Sequence, residues 1–290
     1  MKINYFSTMI RSVFVSDLHG SKSRYNKLFG EITSAEPEAV FIGGDILPST
    51  YRHENPEYFY NNVILKGFRS MKKKLKENYP KIFLILGNDD GKVFEEDILD
   101  AQKEGLWEYM HNRRYDFNGR KIFGYSFIPP TPFLLKDWEK YDVSRFTDPG
   151  CISPEEGRRS YDIEPNLVKY STIRKDLDLL FGKENISDSV VLFHSPPYKT
   201  NLDRADLDGR YFDSVPLDVN VGSIAIREFI EERQPHLTLH GHIHESPRLT
   251  GQWKDRIGIT EMFSAAHDGK ELAMVLFDLD DPEGAERIIF

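Results

Sequence analysis

The first ninety residues alternate between short apolar runs and stretches with helical spacing. Val13-Phe14-Val15 is followed by Leu28, Phe29 and Ile32 at helical intervals, then by Ala39–Ile42. Tyr60, Ile64, Phe68, Met71 and Leu75 recur every three or four residues, and Ile82–Leu86 is the third apolar run. A β-α-β-α-β order of this kind implies parallel strands joined by crossover helices. Each apolar run stops at a polar cluster: Ser16-Asp17, Gly43-Gly44-Asp45, and Gly87-Asn88-Asp89-Asp90. Ligands of parallel sheets sit in the crevice at the carboxyl ends of the strands, so Asp17, Asp45 and Asn88 are expected to project into one crevice.

Local signals place further elements. Asn55-Pro56 reads as an N-cap followed by Pro at the first helical position. Lys72-Lys73-Lys74 suits the last turn of the helix that follows, where cations complement the helix dipole. Asn118-Gly119, between Tyr115-Asp116-Phe117 and Lys121-Ile122-Phe123, is a hairpin signal. A helix is expected from about 166 to 181, a strand over Val190–Phe193, a helix from about 222 to 233, and a strand over His236–Leu239. Three more strand-like runs close the chain, around Ile257, over Leu272–Phe277 and around Ile288.

Between these lies residues 129–165, with six prolines and the aromatic residues Phe133, Trp138, Tyr141 and Phe146. A long irregular stretch inside a compact domain is usually a lid, a binding loop or a disordered excursion. The expectation is one domain over 1–290 with a lid-like insertion at about 129–165 that packs through those aromatics beside the cleft.

Five strand ends carry chemistry: Asp17-Leu18-His19, Gly44-Asp45, Gly87-Asn88-Asp89, His194, and Gly241-His242-Ile243-His244. They supply seven nitrogen and oxygen ligands without a cysteine, a set suited to Mn, Fe, Zn or similar ions. Seven are too many for one tetrahedral ion. They suit two ions sharing a carboxylate, the arrangement that clamps a phosphoryl group.

This ordered set resembles the calcineurin-like metallophosphoesterase superfamily. The stretch His194-Ser195-Pro196-Pro197, Val221-Gly222-Ser223, Gly241-His242-Ile243-His244-Glu245 is similar to its small bacterial and archaeal phosphoesterases. The resemblance implies a four-layer α/β/β/α sandwich. It implies that Asp17, His19 and His244 hold one metal, that Asn88, His194 and His242 hold the other, and that Asp45 bridges them. It implies hydrolysis of a small-molecule phosphate ester, mono- or diester, by in-line attack of a metal-bridging hydroxide. Asn88 ligating through its amide oxygen would keep its NH2 as a donor for substrate or water. The family pattern Gly-Asn-His departs here to Gly87-Asn88-Asp89. That histidine positions substrate or protonates the leaving group. Asp89 stands at its place as the catalytic candidate beside Asn88, and a carboxylate next to two cations is a poor acid at neutral pH.

Of the other histidines, His240 is expected to pack behind the ligands, and His267 to follow a strand end bordering the site. His53, His111 and His236 are expected to be ordinary surface or core residues. Arg145, Arg158, Arg159, Lys199 and Arg204 are the candidate phosphate contacts. The formal net charge of −9 argues against nucleic acid as partner, and hence against the nuclease members of the superfamily. A non-catalytic scaffold on the same fold would have lost ligands, and all seven are present. The longest apolar run, Leu272–Phe277, is six residues, whereas a membrane span needs about 20. Met1–Val15 has no apolar core of a secretory signal. With the single Cys151 read as a free thiol, a cytoplasmic location is expected.

Overall fold

The computed structural model describes residues 11–49 and 55–290, so His53 lies outside the described residues. The strands are β1 (Arg11–Val15), β2 (Ala39–Gly43), β3 (Lys81–Ile85), β4 (Glu108–Tyr109), β5 (Arg113–Phe117), β6 (Arg120–Tyr125), β7 (Val190–Phe193), β8 (Tyr211–Phe212), β9 (Val215–Pro216), β10 (Leu237–His240), β11 (Lys254–Ile257), β12 (Thr260–Ser264), β13 (Ala273–Asp278) and β14 (Glu286–Ile289). The helices are α1 (Lys22–Ala35), α2 (Pro56–Phe59), α3 (Lys66–Leu75), α4 (Glu95–Lys103), α5 (Pro165–Tyr170), α6 (Ile173–Phe181), α7 (Ile224–Arg233) and α8 (Ser246–Thr250). A π-helical stretch, Tyr60–Leu65, joins α2 to α3.

Two six-stranded mixed sheets face each other, in the orders β14-β13-β1-β2-β3-β4 and β11-β12-β10-β7-β6-β5. In the first sheet β1 to β4 run parallel. In the second, β12, β10, β7 and β6 do. The period of two along each strand sorts side chains to opposite faces. Phe14, Phe41, Phe83 and Ile85 of one sheet meet Ile122, Val190, Leu192, Leu237 and Phe263 of the other in an inner core. The alternate positions Val13, Val40, Ile82 and Leu84 pack under Leu28, Ile32 and Phe68, while Val191 and Phe193 pack under Phe181, Phe229 and Ile230. The result is the expected four-layer α/β/β/α sandwich. Among the described residues no helix is long and apolar enough to cross a membrane.

Several local expectations hold. Asn55 accepts from Tyr58 N with Pro56 at the start of α2. Tyr60, Ile64, Phe68, Met71 and Leu75 are all buried. Asn118 and Gly119 both have positive φ, 49° and 80°, and join β5 to its antiparallel neighbour β6. Others need correction. The helix expected over 166–181 is two helices, because Ser171 is extended and Thr172 starts a new one by accepting from Lys175 N. The closing region has four strands. The additional one, β12, lies inside the second sheet and pairs parallel with β10.

Residues 129–165 form an ordered excursion from the end of β6. Trp138 and Tyr141 are buried as expected, but Phe133 and Phe146 are 46% and 63% exposed. The interior is polar as much as aromatic. Lys136, Asp137 and Glu139 are fully buried, and the Lys136 ammonium lies 2.5 Å from Glu139. Glu139 also accepts from the Thr131 amide and hydroxyl. Asp137 accepts from Lys92 N, and Asp142 accepts from Ile224 N at the start of α7. The segment is thereby fixed to the loop that carries Asn88 and Asp89.

Candidate metal centre

The parallel strands bring their carboxyl ends to one edge, and four site residues there adopt left-handed backbone: Asp17 at φ 56°, His19 at 44°, Asp45 at 51° and His242 at 72°. Non-glycine residues in this region are strained and cluster where the surroundings over-determine them. The turns are pinned by backbone bonds, Asp17 N to Gly44 O at 3.0 Å and His19 N to Asp45 O at 2.7 Å. Buried Asp90 accepts from Ile46 N, Leu47 N and Gly87 N and so ties the Asp45 loop to the Asn88 loop. Gly87 sits where side chains converge. A Cβ there would lie 2.4 Å from Asp45 Oδ1 and 2.6 Å from His194 Cε1.

Asp17, His19, Asp45 and His244 each offer one ligand atom, all within 4.8 Å of one another. His19 Nε2 and His244 Nε2 are 2.9 Å apart, and His244 Nε2 is 3.2 Å from Asp17 Oδ1. Asp45 Oδ2 lies 3.7 Å from His19 Nε2 and 3.3 Å from His194 Nε2. His194 Nε2 lies 3.0 Å from Asn88 Oδ1, and its ring centroid is 5.3 Å from that of His242. All seven expected ligands therefore gather at one place, with Asp45 between a group of three and a second group of three.

The outer nitrogens of two imidazoles are held from behind. His194 Nδ1 bonds the Gly43 carbonyl at 2.8 Å, and His19 Nδ1 faces Asp89 Oδ2 at 3.3 Å. Each arrangement turns Nε2 inward and fixes it as a donor toward a cation. Charge follows the same logic. Burial opposes protonation of His19, but Asp89, Asp45 and Asp17 push it up to about 9. Burial opposes protonation of His194 too, and Asp45 with Asp17 pushes it up to about 9. Burial resists ionisation of Asp17, yet His244, His194 and His19 hold it below the usual carboxylate range. Burial and the neighbouring His194 bring His242 down to about 3. Packed carboxylates that draw positive charge onto their imidazoles, in a nitrogen and oxygen donor set, fit two hard-to-borderline cations.

A cleft of about 260 Å³ opens beside the cluster, lined by His19, Arg24, Ser49, Asp89, His244, His267, Asp268 and Gly269. None of the five basic residues expected to contact phosphate lines it. Arg145 pairs with Glu155 and Arg204 with Asp208, while Arg159 donates to the Pro154 carbonyl. Arg158 is tied into the inserted segment through its amide on the Leu134 carbonyl, and the Lys199 ammonium lies over the Tyr198 ring. Arg24 lines the cleft instead, buried in the first turn of α1, where its guanidinium donates to the carbonyls of Asp17 and Gly269. Its one sequence signal was its place five residues after His19. His240 packs behind the site as expected, with Nδ1 on the Ser195 carbonyl and Nε2 on the Thr238 hydroxyl. His111 is a core residue, and His236 is half-buried on the Leu279 carbonyl.

Comparison with known proteins gives the fold and the family. Uncharacterized protein MJ1162 of Methanocaldococcus jannaschii is 31% identical over 105 residues, which is 33% of this chain and 42% of that protein. The match thus spans less than half of that relative's length. Among solved structures, one superposes with a TM-score of 0.60 at 16% identity, covering 98% of this chain and all of the other. TT1561 of Thermus thermophilus superposes at 0.56 with 14% identity, covering 97% of this chain and 99% of its own. At such identities these two establish a shared fold. The family model for calcineurin-like phosphoesterases matches residues 10–246, from the strand before Asp17 to just past His244, and this chain belongs to that family of dinuclear metal proteins.

Proposed function

We propose that this chain hydrolyses a small-molecule phosphate ester with two divalent or transition metal ions. The observation that carries the reading is the position of Asp45, whose Oδ2 stands 3.7 Å from His19 Nε2 and 3.3 Å from His194 Nε2, between the two ligand groups. Asp17, His19 and His244 would hold one ion, Asn88, His194 and His242 the other, and Asp45 both. When bound, such ions lower the pKa of a water and neutralise charge on phosphoryl oxygens. The chain's own residues do the rest. His194 and His19 are oriented by the Gly43 carbonyl and Asp89. Asn88 presents its amide oxygen inward, leaving its NH2 to donate to substrate or water. The cleft is small and lined by polar side chains, three of them imidazoles, which suits an ester with modest substituents.

The cleft lining includes no residue of the segment 129–165, so in our reading the segment acts on ester choice at second hand, through the bond from Lys92 N to Asp137 beside the Asp89 loop. A reducing cytoplasm suits the single thiol, Cys151, which burial pushes up to about 11.

The test is elemental analysis together with turnover of bis-p-nitrophenyl phosphate and p-nitrophenyl phosphate. Two ions per chain and metal-dependent release of p-nitrophenol are expected, both lost in Asp45→Ala. Full activity with a single tightly held ion would sink the dinuclear reading.

A further inference from the structure

The cleft beside the metal centre has a second wall, and it comes from the strand that the sequence pattern concealed. Strand β12 runs parallel to β10 with Ser264 opposite His240, and Ala265 N donates to the His240 carbonyl. Residues after Ser264 therefore leave the sheet at the same edge as Gly241 and His242. His267 is the third of them.

Three arginines from separate elements clamp this wall. Arg24 donates to the carbonyls of His267 and Gly269, at 3.4 and 2.6 Å, and with the same guanidinium to the carbonyl of Asp17. Arg287 donates to the Ala266 carbonyl at 2.6 Å, and Arg248 Nε to Asp268 Oδ2 at 2.6 Å. Arg24 thus locks the loop to the turn that carries Asp17 and His19. The His267 ring lines the cleft with His19, Asp89 and His244. It is flanked by carboxylates on both edges, Glu271 Oε2 at 3.3 Å from Nε2 and Asp268 Oδ1 at 3.9 Å from Nδ1.

The other titratable lining groups have assignments. His19 and His244 face Asp17 and Asp45, the Asp89 carboxylate is turned onto His19, Asp268 pairs with Arg248, and Arg24 is spent on backbone carbonyls. We propose that His267 meets the leaving group, donating a hydrogen bond to the departing oxygen and giving up that proton as the bond breaks. The balance is simple. The attacking water loses one proton to solvent as its oxygen bonds to phosphorus, the P–O electron pair passes to the departing oxygen, that oxygen takes the His267 N–H proton, and the ring regains a proton from solvent. This rests on the phosphoesterase reading above.

The experiment compares wild type, His267→Gln and His267→Ala on p-nitrophenyl phosphate and phenyl phosphate and on the matching bis-aryl diesters, with metal content measured on every sample. General acid assistance is worth about 10²–10⁴-fold, and it matters least for the most acidic leaving group. Both variants should lose at least about 10²-fold in kcat on the phenyl esters and only a few fold on the p-nitrophenyl esters, with two ions retained. Equal loss on both leaving groups, or loss of metal, overturns the assignment while leaving the phosphoesterase reading intact. A metal-loaded wild type inert to all four esters overturns that reading, and this inference with it.

Discussion

The Asp89 carboxylate stands 3.3 Å from Nδ1 of His19 and its backbone amide donates to Asp45 Oδ1 at 2.8 Å. One residue thereby orients two of the groups that face the metal centre. A carboxylate behind a ligating imidazole fixes its tautomer and raises its basicity, and removing such a partner costs about 10–100-fold in metal affinity. Asp89→Asn should weaken metal binding by that factor in a calorimetric titration. Should affinity stay unchanged while turnover falls only on esters with poor leaving groups, Asp89 would belong to the leaving-group step instead.

Gly87 offers a sharper steric test. An added Cβ would sit 2.4 Å from Asp45 Oδ1 and 2.6 Å from the Asp45 amide nitrogen. Backbone lies on one side, so the loop itself must move. Gly87→Ala should cost about 1–3 kcal/mol of stability, in the range of overpacked cores, and should lower metal content with it. Gly30 is the control. A Cβ there meets nothing within 4 Å, and the residue is exposed inside α1. Gly30→Ala should stabilise by about 0.5–1 kcal/mol and leave the metals alone. Denaturant midpoints and elemental analysis of both variants decide this.

The candidate ligands were legible because parallel strands deliver their polar ends to one edge, so Asp17, Asp45, Asn88 and His194 announce themselves after apolar runs. The second wall of the cleft was not. Strand β12 reads Thr-Glu-Met-Phe-Ser, and its Glu261 is accommodated by Arg256 on the adjacent strand β11. A charged residue in a central strand hides the pattern until that partner is known. Arg24 was invisible for a related reason. Its function rests on carbonyls of Asp17 and Gly269, which no local spacing relates. The break at Thr172 depends on a bridge to Tyr141, again distant in the chain.

The inserted segment carries its own test. Lys136 and Glu139 are fully buried and paired at 2.5 Å, and Lys136 Nζ also donates to the Thr131 carbonyl at 2.8 Å. Burial pushes Glu139 up to about 7 and pulls Lys136 down, so each group depends on the other. Removing one partner of a buried pair costs about 3–5 kcal/mol, because the remaining charge is stranded. Lys136→Met should lose that much in urea unfolding. Lys136→Met with Glu139→Gln should lose far less than the two single changes summed, since residues in contact couple. Simple additivity would mean that the pair is not formed. Deleting the whole segment is a poorer experiment, because it would also remove Trp138, which is fully buried in the main core.

His111 supplies a pH signature separable from the metal centre. Its ring is buried among Tyr125, Phe127 and Trp138, with centroids 5.7, 5.2 and 4.8 Å away. Its Nδ1 accepts from Ser126 N at 3.0 Å, a bond that only the unprotonated nitrogen can make. Burial, and then the cations Lys92, Lys140 and Arg113, hold its pKa well below the ordinary 6.5. Such a group is neutral in the native state and charged in the unfolded chain below its ordinary pKa. The unfolded state then binds the extra proton, so the stability is present above about pH 6.5 and is lost as pH falls. The slope from one proton is about 1.4 kcal/mol per pH unit. His111→Gln keeps an acceptor for Ser126 N and cannot titrate. Between about pH 7 and about pH 5 the variant should lose less stability than wild type, with the difference growing toward that slope as pH falls. The histidines of the candidate metal centre are the same in both proteins and cancel in the comparison. Urea unfolding of the two proteins across this range reads the difference, and parallel pH profiles would show that His111 gains its proton in the native state as readily as in the unfolded one.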